Sequence, residues 1–294
     1  MASEELRKRL EALNRAPLRN PPPDTTPQEA PPARPARPSR RAASDAASVP
    51  AATAKRASGS LEEWLPGEPL DHPTGRRCYV VSPDLGSLPV SATPVLDRAR
   101  EAMSGDAIRS RLTREGASEP ARAVFLDIET LGLTISEPLS LVGLLLLAPD
   151  GAAACRQFMA RDLDEEAGTL AAFSDEVASA ELLVSFNGIS FDLAILCARA
   201  TVHGVAMPRM PLHLDMLLEA RRRYGRRLPN CRLTTLEQHV CGRTRDDDVP
   251  GHLVPGVYRE FLRTGNAAGL ARIAEHNILD LLTTADLFGR FYGG

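Results

Sequence analysis

Cysteine is sparse and follows no ligand pattern. Cys78, Cys155, Cys197, Cys231 and Cys241 make no CxxC pair and have no histidines at matching spacing, so neither a zinc site nor a disulfide framework is indicated. Long apolar runs are missing too. None reaches the roughly 18 residues of a membrane span, and the first ten residues carry charges where a signal peptide needs an apolar segment. The expectation is a cytoplasmic protein without membrane contact. Basic charge is short where a general nucleic-acid coat would need it. Residues 1–60 hold eleven Lys and Arg against six Asp and Glu, which leaves 24 against 32 in the remainder. Such a domain meets a polyanion only through local basic patches and bound cations.

What is present suffices for a sizeable core: 294 residues, 43% hydrophobic and 25% charged. Residues 3–14 read as a short amphipathic helix, capped by Ser3 and presenting Leu6, Leu10 and Leu13 on one face. Residues 16–60, rich in Pro, Ala, Arg and Ser, read as a disordered basic tether. Together, residues 1–60 make a tail suited to a protein partner. Residues 61–120 read as an arm or hairpin packed on the main domain, with a strand-like Cys78–Val81 and short helices between Ala92 and Leu112.

Residues 121–294 carry the chemistry. Ala123 to Gly132 pairs a buried-strand pattern with two acids, and Asp127 and Glu129, two apart, share a face of that strand. Adjacent carboxylates repel, which a raised pKa or a divalent cation relieves; an edge strand with solvated acids is the plainer alternative. Leu139–Leu147 and Ala153–Met159 continue as antiparallel strands about a Pro149-Asp150-Gly151 turn. Strand and helix then alternate through Glu181–Phe186, Ser190–Val202, Leu212–Asp215 and Met216–Tyr224, with a helical C-terminal half. The expected fold is α/β, a mixed five-stranded sheet flanked by helices.

Asp192 opens the helix after Asn187-Gly188, and His276 and Asp280 share a face of the last helix. Strand ends on one side of such a sheet converge on a crevice, so these groups are candidates to join Asp127 and Glu129. Asp192 alone also suits the positive end of a helix dipole, and a lone helical histidine is usually structural.

Taken together, Asp127-x-Glu129 with Thr130 and Gly132, Asn187-x-x-x-Phe191-Asp192 and His276-x-x-x-Asp280 resemble the four-carboxylate signature of the DEDD exonuclease superfamily, which has the ribonuclease H-like fold. The middle motif is similar to that of the proofreading exonucleases of family B polymerases. His213-Leu-Asp215, Arg221–Tyr224, Cys231 to Glu237, Asp247 to Gly251, Pro255, Tyr258, Gly265 and His276-Asn277 resemble the YprB-like group of predicted exonucleases, over about residues 64–292. One departure is that His276 stands four residues before Asp280, the spacing of the tyrosine members.

The resemblance implies a 3′–5′ exonuclease acting on single-stranded DNA or RNA. Two divalent cations, Mg2+ or Mn2+, would sit on Asp127, Glu129, Asp192 and Asp280, with His276 orienting or deprotonating water. Thr130, Leu131 and Gly132, with Asn187 and Phe191, would hold the terminal nucleotide, and Glu137 is a further acid beside that loop. Asp215 and Asn277 are auxiliary candidates. Arg222, Arg223 and Tyr224, within a run of arginines from 221 to 227, would meet phosphates and a stacked base. Two other readings stay open: a catalytically inert binding and recruitment protein on the same fold, and a structure-selective endonuclease.

Overall fold

The computed structural model describes residues 59–88, 91–117, 121–132, 134–245 and 251–293. The helix expected at 3–14, nearly all of the tail, Leu133 and the Asp247–Pro250 stretch lie outside them. The strands are β1 (Glu68–Asp71), β2 (Arg77–Val81), β3 (Ala123–Thr130), β4 (Leu139–Leu147), β5 (Ala153–Met159), β6 (Leu182–Ser185) and β7 (Leu212–Asp215). They form one sheet in the order β1-β2-β5-β4-β3-β6-β7. Pairing is antiparallel from β1 to β3 and parallel between β3 and β6 and between β6 and β7.

Strands β3 to β7 stand where the sequence pattern puts them, but the sheet has seven strands rather than the expected five. The two extra strands come from the segment read as an arm. β1 escapes a pattern reading because Glu68, Pro69 and Asp71 are exposed and only Leu70 is partly covered, so no alternation shows. An isolated hairpin is marginal in water. It is stabilised here by adding Tyr79–Val81 to Gln157–Met159 of β5. The hairpin covers the long edge of β5 and presents instead a short edge with one proline and two acids, a poor template for further pairing.

The helices are α1 (Leu61–Trp64), α2 (Thr93–Ser104), α3 (Asp106–Arg114), α4 (Glu166–Ala178), α5 (Asp192–His203), α6 (Met216–Tyr224), α7 (Leu233–Leu236), α8 (Val254–Thr264) and α9 (Ala268–Tyr292). The two-residue period of β3 decides which helices meet which face. Ala123 and Phe125 point into a core built with α2, α3, α6 and α9. Val124, Leu126 and Ile128 point into the opposite core, built with α4 and α5. Continuing the first face beyond Phe125 gives Asp127 and Glu129, under the long helix α9. A third cluster joins Tyr79, Leu141 and Met159 to α8 and the first turns of α9.

Candidate active site

The β3–β6 ladder stops at the Leu126 and Ser185 pair. Beyond it β3 runs on alone on that side, which opens the sheet at the level of Asp127. The β3–β4 register slips between Glu129 and Thr130, the local irregularity that often re-aims side chains near sites.

The turn after β6 is built to deliver Asp192 into this opening. Asn187 takes a left-handed conformation, φ 65°, the one non-glycine among the described residues to do so. An asparagine tolerates that region better than most side chains. Gly188 follows because a Cβ there would lie 2.2 Å from Ser185 Oγ. Asp192 is then the first residue of α5 and is buried. Asp215 holds this turn from below: its carboxylate accepts from the amides of Asn187 at 2.8 Å and Ile189 at 3.3 Å, and caps α6 through Leu217 at 2.9 Å. Asp215→Ala leaves three amides without that acceptor, so it is expected to cost about 2–4 kcal/mol and to speed proteolysis at the 187–191 turn. Urea denaturation with limited proteolysis checks this; a stability within 1 kcal/mol of wild type, roughly the size of one ordinary cap, would contradict it.

Helix α9 supplies the other wall. Asn277 is fully buried, and its Nδ2 donates to the backbone oxygen of Asp127 at 3.1 Å and to its carboxylate at 2.8 Å. Its Oδ1 accepts from Gln157 Nε2 at 2.9 Å, and the same nitrogen donates to Ala274 O at 2.7 Å. Gln157, Gly143 and Asp127 lie side by side across β5, β4 and β3. A Cβ on Gly143 would stand 1.8 Å from Asn277 Oδ1. The glycine is thus the gap through which the amide reaches from Gln157 to Asp127. Asp280, one turn on, receives Arg245 at 2.6 Å on Oδ1 and faces His276 Nε2 at 3.5 Å on Oδ2. Arg245 also donates to the buried Glu237 at 2.6 Å, which Thr283 of α9 holds at 2.8 Å.

These four acids feel one another. Burial, then the charges of Asp280, Glu129 and Asp192, push the Asp127 carboxyl well above its usual range, against the Asn277 hydrogen bond. Burial, with Asp215 and Asp280, raises Asp192 to about 7, opposed by its amide hydrogen bonds. The donor chemistry here fits divalent cations: oxygen ligands only, with a repulsion that a cation relieves. Among the described residues, no group of three or more His, Cys, Asp or Glu is closed around a point as a metal site, and Asp280 is turned to Arg245.

The expected substrate contacts divide. Leu131 N donates to Pro138 O at 2.9 Å, and Thr130 Oγ1 to Gly132 O, so this loop folds on itself beside Glu137, whose Cγ a Cβ on Gly132 would meet at 2.6 Å. Phe191 is partly buried against the α4–α5 core. Asn187 lines a cavity of about 480 Å³ that also takes in Asp127 and Asp280. Arg222, Arg223 and Tyr224 are engaged elsewhere: Arg222 with Glu219 at 2.8 Å, Arg223 with Phe291 O at 2.7 Å and over the Phe291 ring, Tyr224 against that ring at 5.9 Å. Arg221 and Arg232 line the cavity instead.

Gln157, Gly143 and Arg245 escaped the sequence reading. A glycine inside the unbroken apolar run 139–147 was a signal of close approach; Arg245 gave none.

A protein-family model described as RNase_H superfamily matches residues 124–292. "Uncharacterized protein YprB" of Bacillus subtilis (strain 168) is 32% identical over 108 residues, 36% of this chain and 26% of that protein. The family B DNA polymerase from the hyperthermophilic archaeon Pyrobaculum calidifontis aligns over 58% of this chain and 24% of its own, with 18% identity and a TM-score of 0.46. The chain thus spans about a quarter of the length of each.

Proposed function

The chain belongs to the RNase_H superfamily, and from that premise we propose that it is a metal-dependent 3′–5′ exonuclease releasing nucleoside monophosphates from single-stranded DNA or RNA. The RNase H-like fold supports a nuclease-type hydrolase. Polarity and strandedness are the finer reading, supported by the likeness of the three acidic motifs to the DEDD exonucleases. The observation that carries it is the convergence of Asp127, Glu129, Asp192 and Asp280 from β3, α5 and α9, with Asp127 raised by burial and by the charges of the other three.

Mg2+ or Mn2+ held by these four carboxylates would supply Lewis acidity at the scissile phosphate and lower the pKa of water. The chain's own residues do the rest. His276 Nε2, on the Asp280 side of the site, takes the proton of the attacking water as the new O–P bond forms and the P–O3′ bond breaks; the leaving 3′ oxygen is protonated from solvent. Asn277 keeps the Asp127 carboxylate aimed. Asn187, which lines the cavity with Asp127 and Asp280, meets the terminal nucleotide.

The test is a time course on 3′- and 5′-labelled single strands of DNA and RNA with Mg2+, with Mn2+ and with chelator. Mononucleotides from the 3′ end, absent with chelator, are expected. Internal cuts would support the endonuclease instead, and no cleavage in either metal would support the binding protein. That last reading draws on one observation, the Arg245 guanidinium already bound to Asp280.

A further inference from the structure

Some arginines around the site are committed and two that line its cavity are not. Arg222 is held by Glu219, Arg223 by Phe291, and Arg245 by Asp280 and Glu237. Arg221 and Arg232 have no side-chain hydrogen bond or ion pair among the described residues, yet both line the cavity of about 480 Å³ that holds Asp127 and Asp280. Arg221 projects from α6, and Arg232 follows the turn in which Asn230 Oδ1 accepts from the Arg232 amide at 3.0 Å and from Thr235 Oγ1 at 2.7 Å. Apolar surface lies between: Phe186, Leu217 and Leu233 line the same cavity.

Two unmatched guanidiniums close to a cluster of acids would pair with those acids if offsetting their charge were the role. They stand apart from them, which leaves their donors for an anion that the cavity admits. Its volume is of small-molecule size, room for about one nucleotide unit. A guanidinium meets a phosphodiester through two parallel hydrogen bonds, and an aromatic ring beside it suits an unpaired base.

We propose that this cavity is the strand-binding subsite next to the scissile bond. Arg221 and Arg232 hold the phosphate one nucleotide in from the reacting end, and its base rests on Phe186, Leu217 and Leu233. The ligand is a single-stranded polynucleotide. The subsite deepens the exonuclease reading, on which its position beside a scissile bond rests, but its affinity for a strand is measurable without any cleavage.

The experiment is fluorescence anisotropy with end-labelled ten-nucleotide DNA and RNA strands, in chelator and across a salt series, on the full chain. Arg221→Gln with Arg232→Gln is compared with Arg259→Gln with Arg263→Gln, which removes the same charge from α8. Loss of two phosphate contacts is expected to weaken binding about tenfold or more and to flatten the log–log salt slope by about 1.4, at roughly 0.7 per contact for a single strand. The α8 pair should leave the slope as in wild type, and Arg221→Lys with Arg232→Lys should restore most of it. Equal losses in both glutamine pairs, or no change in slope in the cavity pair, would overturn the subsite. A wild-type chain that binds through these arginines and does not cut would leave the subsite standing and remove the exonuclease. Cleavage that persists with an unchanged slope in the cavity pair would do the reverse.

Discussion

Asp127→Asn is expected to lower hydrolysis about 10³-fold while raising the melting temperature of the metal-free protein. The two effects share one cause. Asp127 is pressed toward its neutral form by burial and by three neighbouring carboxylates. A carboxyl raised in the folded state contributes stability that is complete below its unfolded pKa, near 3.9, and is lost as pH rises through the folded value. Asp192, raised to about 7, acts in the same direction. The metal-free wild type should therefore lose stability from about pH 4 through 7 and beyond, the reverse of the usual behaviour of paired acids. Asparagine keeps an oxygen for Asn277 Nδ2 and removes the charge, so at pH 8 the variant should melt at a higher temperature than wild type. Thermal denaturation at pH 5 and pH 8 in chelator reads both the offset and its pH dependence. A variant that melts at or below wild type at pH 8 would show that the four acids do not repel as described.

Gly143→Ala, a substitution of a single hydrogen by methyl, should be strongly damaging. The new Cβ falls 1.8 Å from Asn277 Oδ1 and 2.6 Å from its Cγ. Both groups sit in a packed interior, one on a central strand and one on the helix that covers it. The helix must shift or the amide must leave, and either breaks the link from Gln157 to Asp127. The expected cost is about 3–5 kcal/mol from overpacking together with lost buried hydrogen bonds. If Asp127 ligates metal as proposed, hydrolysis should fall with it, since partners that orient a metal-ligating side chain typically matter 10–100-fold. The decisive measurement is the double variant Gly143→Ala, Asn277→Ala. Removing the amide makes room for the methyl, so the double should be more stable than the sum of the two singles by about 1–2 kcal/mol, the coupling expected of groups in contact. Strict additivity in urea denaturation would mean that Gly143 is not there to admit Asn277.

The core of the fold was readable because its determinants are local. Strands β3, β4 and β6 announce themselves by apolar runs, β5 by the turn that precedes it and β7 by its place in the strand–helix alternation, and Asp127 and Glu129 by a two-residue period on β3. The acids Asp192 and Asp280 were readable as helix positions; only the topology brings them to the same opening. What stayed hidden depends on contacts between distant segments. β1 shows no pattern because its faces are nearly all exposed, and it becomes a strand through β2, which itself needs the edge of β5. The arginines from 221 to 227 look interchangeable in sequence. Their roles separate with the turn of α6, which sends Arg223 onto Phe291 and Arg221 into the cavity. Asn277 could be suspected, but its partner Gln157 is 120 positions away, and Arg245 reaches Asp280 through a segment with no motif of its own.

The bond between Asn277 and Asp127 spans 150 positions, and this sets a clock on the ribosome. At roughly 5–20 residues per second, the strand bearing Asp127 and Glu129 is made about 8–30 s before the helix bearing Asn277 and Asp280. During that interval the strand can pair with β4 and β6, yet the acids lack the amide that aims one of them and the carboxylate that completes the set. A nascent or truncated chain consequently lacks the assembled site, which forms only once the last helix closes over the sheet.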